Sequence, residues 1–223
     1  MGKSLSESYV RSRQSLNSIL TIEVKAMGGR GAGEGGGNRN NNGGIGGERK
    51  EFREMGRGLQ RSHETTKNLS VNEVGKLARD AYKNISGGRI AQYNALKQQA
   101  QKNGWTVIEK SLPKGNGVAN YTNKTITINK DLNTAQKTRT LVHEIAHMKL
   151  HPNSKKPTAQ KEVEAEMTAK MVADELGIKN NNAYSNHYIN GWQRHGDILR
   201  SKLKDFEKDV MKAYDEIMNG FDF

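Results

Sequence analysis

The chain has 223 residues, 33% of them hydrophobic, with a mean hydropathy of −0.87, a formal net charge of +12 and a pI near 9.8. That length leaves room for one or two domains, but so low an apolar content means that part of the chain does not pack into a core. Cysteine is absent, which excludes disulfides, thiolate metal ligands and a cysteine nucleophile, and no run approaches the roughly 18 apolar residues of a membrane span.

Residues 1–27 carry Leu5, Tyr9, Leu16, Ile19, Leu20, Ile22 and Val24, a pattern that predicts a short amphipathic helix or interaction segment; charges fall throughout it, unlike a secretory signal. Without a targeting signal, the cytoplasm is the expected compartment. Between Gly28 and Gly47 eleven of twenty residues are glycine, interspersed with Asn38, Asn40, Asn41 and Asn42. Such a composition cannot bury enough apolar surface to order itself, so residues 28–68, the Gly/Asn-rich tract and the charged stretch after it, read as a disordered linker. Residues 69–223 are left as the folded domain.

In that domain Ser70-Val71-Asn72-Glu73 reads as a capping box opening a helix through about Asn84, and Arg89 to Asn103 as a second helix stopped by Gly104. Three strand candidates follow, Trp105 to Glu109, Val118 to Thr122 and Thr125 to Asn129, the last alternating Thr-Ile-Thr-Ile; Asn123-Lys124 would turn the second into the third. Thr134 is the candidate cap of the next helix, whose segment Thr140 to Leu150 is mostly apolar. A further helix spans Ala159 to Leu176, with Gly177 as its C-cap residue and Asn180 to Asn182 as a loop beyond it. Ile198 to Met218 reads as one final amphipathic helix. The fold class expected is α+β: a small antiparallel or mixed three-stranded sheet packed with helices.

The segment Thr140 to Leu150 contains His143-Glu144-Ile145-Ala146-His147. Residues i and i+4 of a helix are stacked neighbours, so both imidazoles can aim a ring nitrogen at one ion, while Glu144 is rotated about 100° toward where an attacking water would sit. Catalytic zinc takes three protein ligands, so a third is required. The extended motif HExxHxxGxxH is excluded, because Leu150 and Asn153 stand where glycine and histidine would be needed. His151 is another i+4 step and would reach the ion only in an unbroken helix, which Pro152 and Pro157 argue against. The following helix offers Glu162, Glu164 and Glu166; Glu162 and Glu166 share a face one turn apart, and Glu162 is the first choice with Glu166 behind it.

Thr140-Leu141-Val142-His143-Glu144-Ile145-Ala146-His147, Glu162-Val163-Glu164-Ala165-Glu166 with Ala169, Leu176-Gly177-Ile178 and Tyr188-Ile189 with Trp192 together resemble the ImmA/IrrE family of metallopeptidases, most of all the peptidase half of ArdC-type antirestriction proteins, over roughly Ser70 to Met218. The resemblance implies His143, His147 and Glu162 as ligands of Zn2+ and Glu144 as the catalytic carboxylate. The single-stranded-DNA-binding domain of ArdC-type proteins and the repressor partner of ImmA-type proteins have no counterpart in the residues left over, so DNA binding does not carry across.

The expected activity is zinc-dependent cleavage of a protein or peptide substrate, with Glu144 as general base. For the oxyanion the segment Tyr184 to His195 holds several donors, of which Tyr188 and then His195 are nominated. The alternative is an antirestriction or nucleic-acid-associated accessory protein of a phage or plasmid, in which the zinc domain is mainly structural. Arg30, Arg39 and Arg49 to Arg61 would give it non-specific nucleic-acid contact. The basic excess is spread, however, with 12 Lys+Arg against 7 Asp+Glu in residues 1–68 and 24 against 17 in residues 69–223, and the tract lacks aromatic residues for base stacking, so ordinary solubility accounts for it more simply.

Overall fold

The structure of the protein, a computed structural model, describes residues 60–198 and 200–221. The readings made for residues 1–59, the N-terminal amphipathic segment, the Gly-rich tract and all of the basic patch but Arg61, lie outside the described residues. Helix α1 covers Val71–Lys83, and its capping box forms as the sequence predicts: the Ser70 hydroxyl accepts from the Glu73 N–H and the Glu73 carboxylate accepts from the Ser70 N–H. Helix α2 covers Ile90–Lys102. It ends at Gly104, whose φ of +76° lets the Trp105 N–H return to the Ala100 carbonyl.

Strands β1 (Thr106–Lys110), β2 (Gly117–Asn120) and β3 (Thr125–Asn129) form a mixed sheet in the order β1-β3-β2. β3 runs parallel to β1, with Thr106 opposite Thr125, and antiparallel to β2, with Ala119 opposite Ile126. The four residues between β2 and β3 turn on the Asn120 side chain, which accepts from the N–H groups of Thr122 and Asn123, with Lys124 at φ +50°. Ile126, Ile128 and Val107 are buried, and β2 is left on the edge.

Helix α3 (Thr134–Leu150) passes through the core and is buried nearly all round. Its cap is Asn133 and not Thr134. The Asn133 side chain accepts from the Gln136 N–H at 2.9 Å, Gln136 answers at 3.0 Å, and Asn133 also donates to the Ile85 carbonyl at 3.1 Å. Helix α4 (Thr158–Glu175) packs beside α3. Its buried side chains include Val163, Ala165, Ala169 and Ala173. It closes on Gly177 at φ +70°, with the Gly177 N–H on the Asp174 carbonyl and the Ile178 N–H on the Ala173 carbonyl.

The segments after α4 and before α1 depart from the sequence reading. Asn181 is not in a loop but opens helix α5 (Asn181–His195). This helix buries Tyr184 and Ile189 in the core, with Tyr188 and Trp192 packed against it, and it also buries Asn181, Ser185, Asn186, Asn190 and Gln193, so polar residues are interspersed through its inward side and weaken the periodic signal. The last segment is broken into a 3-10 stretch, Arg200–Phe206, and helix α6, Glu207–Met218, which together bury Leu203, Phe206, Val210, Tyr214 and Ile217. Residues 60–66, which composition assigned to the linker, are helical and dock on α5. There Asn190 donates to the Ser62 hydroxyl at 3.1 Å, and Arg194 donates to Thr66 Oγ1 and to the Leu69 carbonyl. No helix of the described residues is long and apolar enough to cross a membrane.

Candidate metal centre

A cleft of about 430 Å3 opens between the β2 edge and the helices α3, α4 and α5. On its floor His143 and His147, one turn apart on α3, bring their Nε2 atoms to 3.0 Å from each other. From α4 the Glu162 carboxylate reaches both, with Oε2 3.4 Å from His143 Nε2 and Oε1 3.5 Å from His147 Nε2. One ligand atom from each of the three lies within 4.8 Å of the other two, close enough to share one ion, and among the described residues this is the only such group of histidine and acidic side chains. It is the set His143, His147 and Glu162 expected from the sequence.

The electrostatics of the group suit a cation. Burial disfavours the His143 imidazolium, yet the hydrogen bonds to Glu162 and Glu166 outweigh it and push its pKa up to about 10. Burial likewise raises Glu162, but the two imidazoles overcome this and hold its carboxyl well below the usual carboxylate range. Once a metal displaces the His143 proton, two imidazole nitrogens and one carboxylate oxygen at the side of an open cleft are the donor set of a catalytic zinc site, so the residues fit that metal.

Glu144 sits beside the group, 7% exposed. Burial raises its pKa, while His143, His147 and a hydrogen bond from the Ala119 backbone N–H of β2 pull the other way. Its place depends on Gly117: a Cβ there would stand 3.0 Å from Glu144 Oε1 and 2.6 Å from Thr140 Cγ2. A glycine in a strand marks this kind of close approach, but the strand expected from the sequence began at Val118 and left Gly117 outside it.

Glu166 and Glu164 of α4 fall behind His143 and His147. Glu166, the second-choice ligand, is completely buried; it faces His143 Nδ1 at 3.2 Å and pairs with the buried Arg139, so it stands on the far side of the ring from the ion position. Glu164, also completely buried, accepts from His151 Nε2 at 2.9 Å. His151 itself is the residue after α3 ends, so it has left the ligand line, as the two prolines suggested.

The two nominated oxyanion donors part company. Tyr188 lines the cleft, its ring edge-on to His143, and its hydroxyl donates to Glu162 Oε2 at 2.6 Å; burial and the neighbouring Tyr184 and Glu162 raise its pKa well above normal. His195 is exposed, packs edge-on against Trp192 and is not among the residues lining the cleft. Seven residues on from Tyr188 it keeps the same helix face but lies two turns, about 10 Å, further along. Tyr121 was missed by the sequence reading. It lines the cleft beside the β2 edge, and its hydroxyl donates to the His147 carbonyl at 2.6 Å.

Two imidazoles from one helix and a carboxylate from the next make a group that could hold one metal ion. Residues 100–177 match the model of a peptidase family, the IrrE N-terminal-like domain, a stretch that takes in the sheet, α3 and α4. The match supports the ImmA/IrrE-type resemblance and ends before α5. Neither the curated proteins nor the solved structures compared with the chain gave a match.

Proposed function

We propose that the domain is a zinc-dependent endopeptidase acting on a protein or peptide substrate. The observation that supports this best is the meeting of two imidazoles and one carboxylate at the floor of an open cleft, with a fourth side chain, the buried Glu144 carboxylate, alongside. Zinc held by His143, His147 and Glu162 would supply Lewis acidity, polarising a scissile carbonyl and making water a nucleophile near neutral pH.

The chain's own residues do the rest. Glu144 takes the proton from the attacking water and delivers it to the leaving amine; its raised pKa suits a group that must both accept and release a proton. The β2 edge, lining the cleft through Gly117, Val118 and Ala119, offers backbone hydrogen bonds to an extended substrate. Tyr188 positions Glu162 and is the hydroxyl nominated for the developing oxyanion; His195, outside the cleft, has no part in this scheme.

The test is a pair of measurements on Glu144→Gln. Zinc content should match the wild type while hydrolysis of a quenched fluorescent peptide library disappears; proteolysis retained by the variant would refute the assignment.

A further inference from the structure

Behind the proposed ligands lie two unequal supports. His143 Nδ1 meets a carboxylate directly, Glu166 Oε2 at 3.2 Å. His147 Nδ1 meets another imidazole, His151 Nδ1 at 3.0 Å, and only then a carboxylate, Glu164 Oε2, 2.9 Å from His151 Nε2. Glu164 in turn accepts from Gln160 at 2.7 Å and from Lys156 with 3.0 Å to each oxygen, and Lys156 also reaches Asp209 of α6. His151 is 5% exposed and Glu164 fully buried, so neither has water to satisfy it in place of these partners.

The direction of this chain of hydrogen bonds is set by counting protons. If His147 gives its Nε2 lone pair to a metal, its one remaining ring proton is on Nδ1. That N–H must donate, so His151 Nδ1 must accept, and the His151 proton is then on Nε2, where the Glu164 carboxylate receives it. The direction closes without conflict and ends on an anion held by a lysine.

We infer that His151 is a positioning residue of the metal centre: by accepting from His147 Nδ1 and donating to Glu164 it fixes the orientation and tautomer of His147. The assignment rests on the metal-centre reading above. An imidazole can accept at one nitrogen and donate at the other, which a carboxylate cannot, so His151 links the end of α3 at Leu150 to Glu164 of α4. His151 caps that end, its N–H on the His147 carbonyl at 3.0 Å, so one residue fixes both the backbone and the ring of the ligand.

The experiment measures zinc affinity of the full chain by competition with a chromophoric chelator. His151→Phe fills the space but cannot accept, and zinc should bind roughly 10–100-fold more weakly. His151→Asn restores an acceptor where Nδ1 was and should recover most of that loss, which a merely space-filling role would not produce. If wild type binds zinc and His151→Phe binds it equally well, the positioning role is overturned and the metal centre stands; if wild type takes up no zinc, both fall. Should His151→Phe fail to fold, ring-nitrogen NMR of the zinc-loaded wild type decides instead. A proton on His151 Nε2 supports the relay, and a proton on His151 Nδ1 overturns it.

Discussion

Gly117→Ala is the sharpest probe of how the sheet serves the site. The added Cβ would come within 2.6 Å of Thr140 Cγ2, 3.0 Å of Glu144 Oε1 and 3.2 Å of Glu144 Cγ, whereas carbon atoms in contact prefer about 3.5–4.0 Å. Neither neighbour is free to retreat: both are buried, and the Thr140 hydroxyl is 2.5 Å from the Tyr82 hydroxyl. The strand is the part that can move, because β2 is paired only through β3 among the described residues. A shift of about 1 Å away from α3 would cost about 1–3 kcal/mol of overpacking strain and would lengthen the Ala119 hydrogen bond that orients Glu144. Misplacing a catalytic group by that distance costs on the order of 100-fold in rate. Thermal denaturation and kcat/KM on a quenched fluorescent peptide should therefore both fall, with zinc content unchanged. Adding Thr140→Ser removes the methyl that makes the closest contact and keeps the hydroxyl, so it should restore most of the stability but only part of the activity, since the Glu144 contact remains. Wild-type stability and turnover in Gly117→Ala would refute the claim that this strand sets the carboxylate.

Glu162→Ala should remove most bound zinc, read by metal analysis after dialysis, whereas Glu166→Gln should leave a weakened site; the reverse order would exchange their roles. Asn133→Ala removes the side-chain cap of α3 and its bond to Ile85, and should cost about 1–2 kcal/mol in chemical denaturation, while Thr134→Ala should cost much less. Lys137, 2.7 Å from Glu109, holds that carboxyl below its ordinary pKa through a hydrogen bond, so the pair adds stability above the usual carboxylate range and loses it as pH falls through the lowered value. Glu109 is part-exposed, so Lys137→Met should lower stability at neutral pH by at most about 1 kcal/mol and leave it unchanged in acid.

What could be read in the sequence is what short-range rules govern. The capping box at Ser70, the stop at Gly104, the strand Thr125–Asn129 and the i, i+4 histidines depend on residues within a turn or two of one another, and the structure has each where the sequence puts it. The failures have the opposite cause. Asn180 to Asn182 carries strong loop signals, yet Asn181 accepts from Arg139 on α3 and donates to Lys170 and Asp174 on α4, and these distant partners draw it into a helix. The docking of residues 60–66 is equally invisible locally, because its partners His187, Asn190 and Arg194 are more than a hundred residues away. The choice among the α4 glutamates could be narrowed by spacing but not settled, since it depends on how α4 is rotated against α3.

That rotation accounts for the three acidic residues. Glu162 and Glu166 are one turn apart on α4, as the two histidines are on α3, so laying the helices side by side puts the first carboxylate at the Nε2 atoms and the second behind His143. A carboxylate placed two residues from each points toward the end of α3, where it finds His151. Arg139 lies one turn before His143 and meets Glu166, while Lys156 approaches Glu164 from the connecting loop. Each supporting anion thus has its own cation, and Glu162 alone of the three has only imidazoles and the Tyr188 hydroxyl. The charge that meets Glu162 is the proton held on His143, whose pKa is pushed up to about 10, and a metal cation at the point where the three side chains converge would take over that balance as the proton leaves.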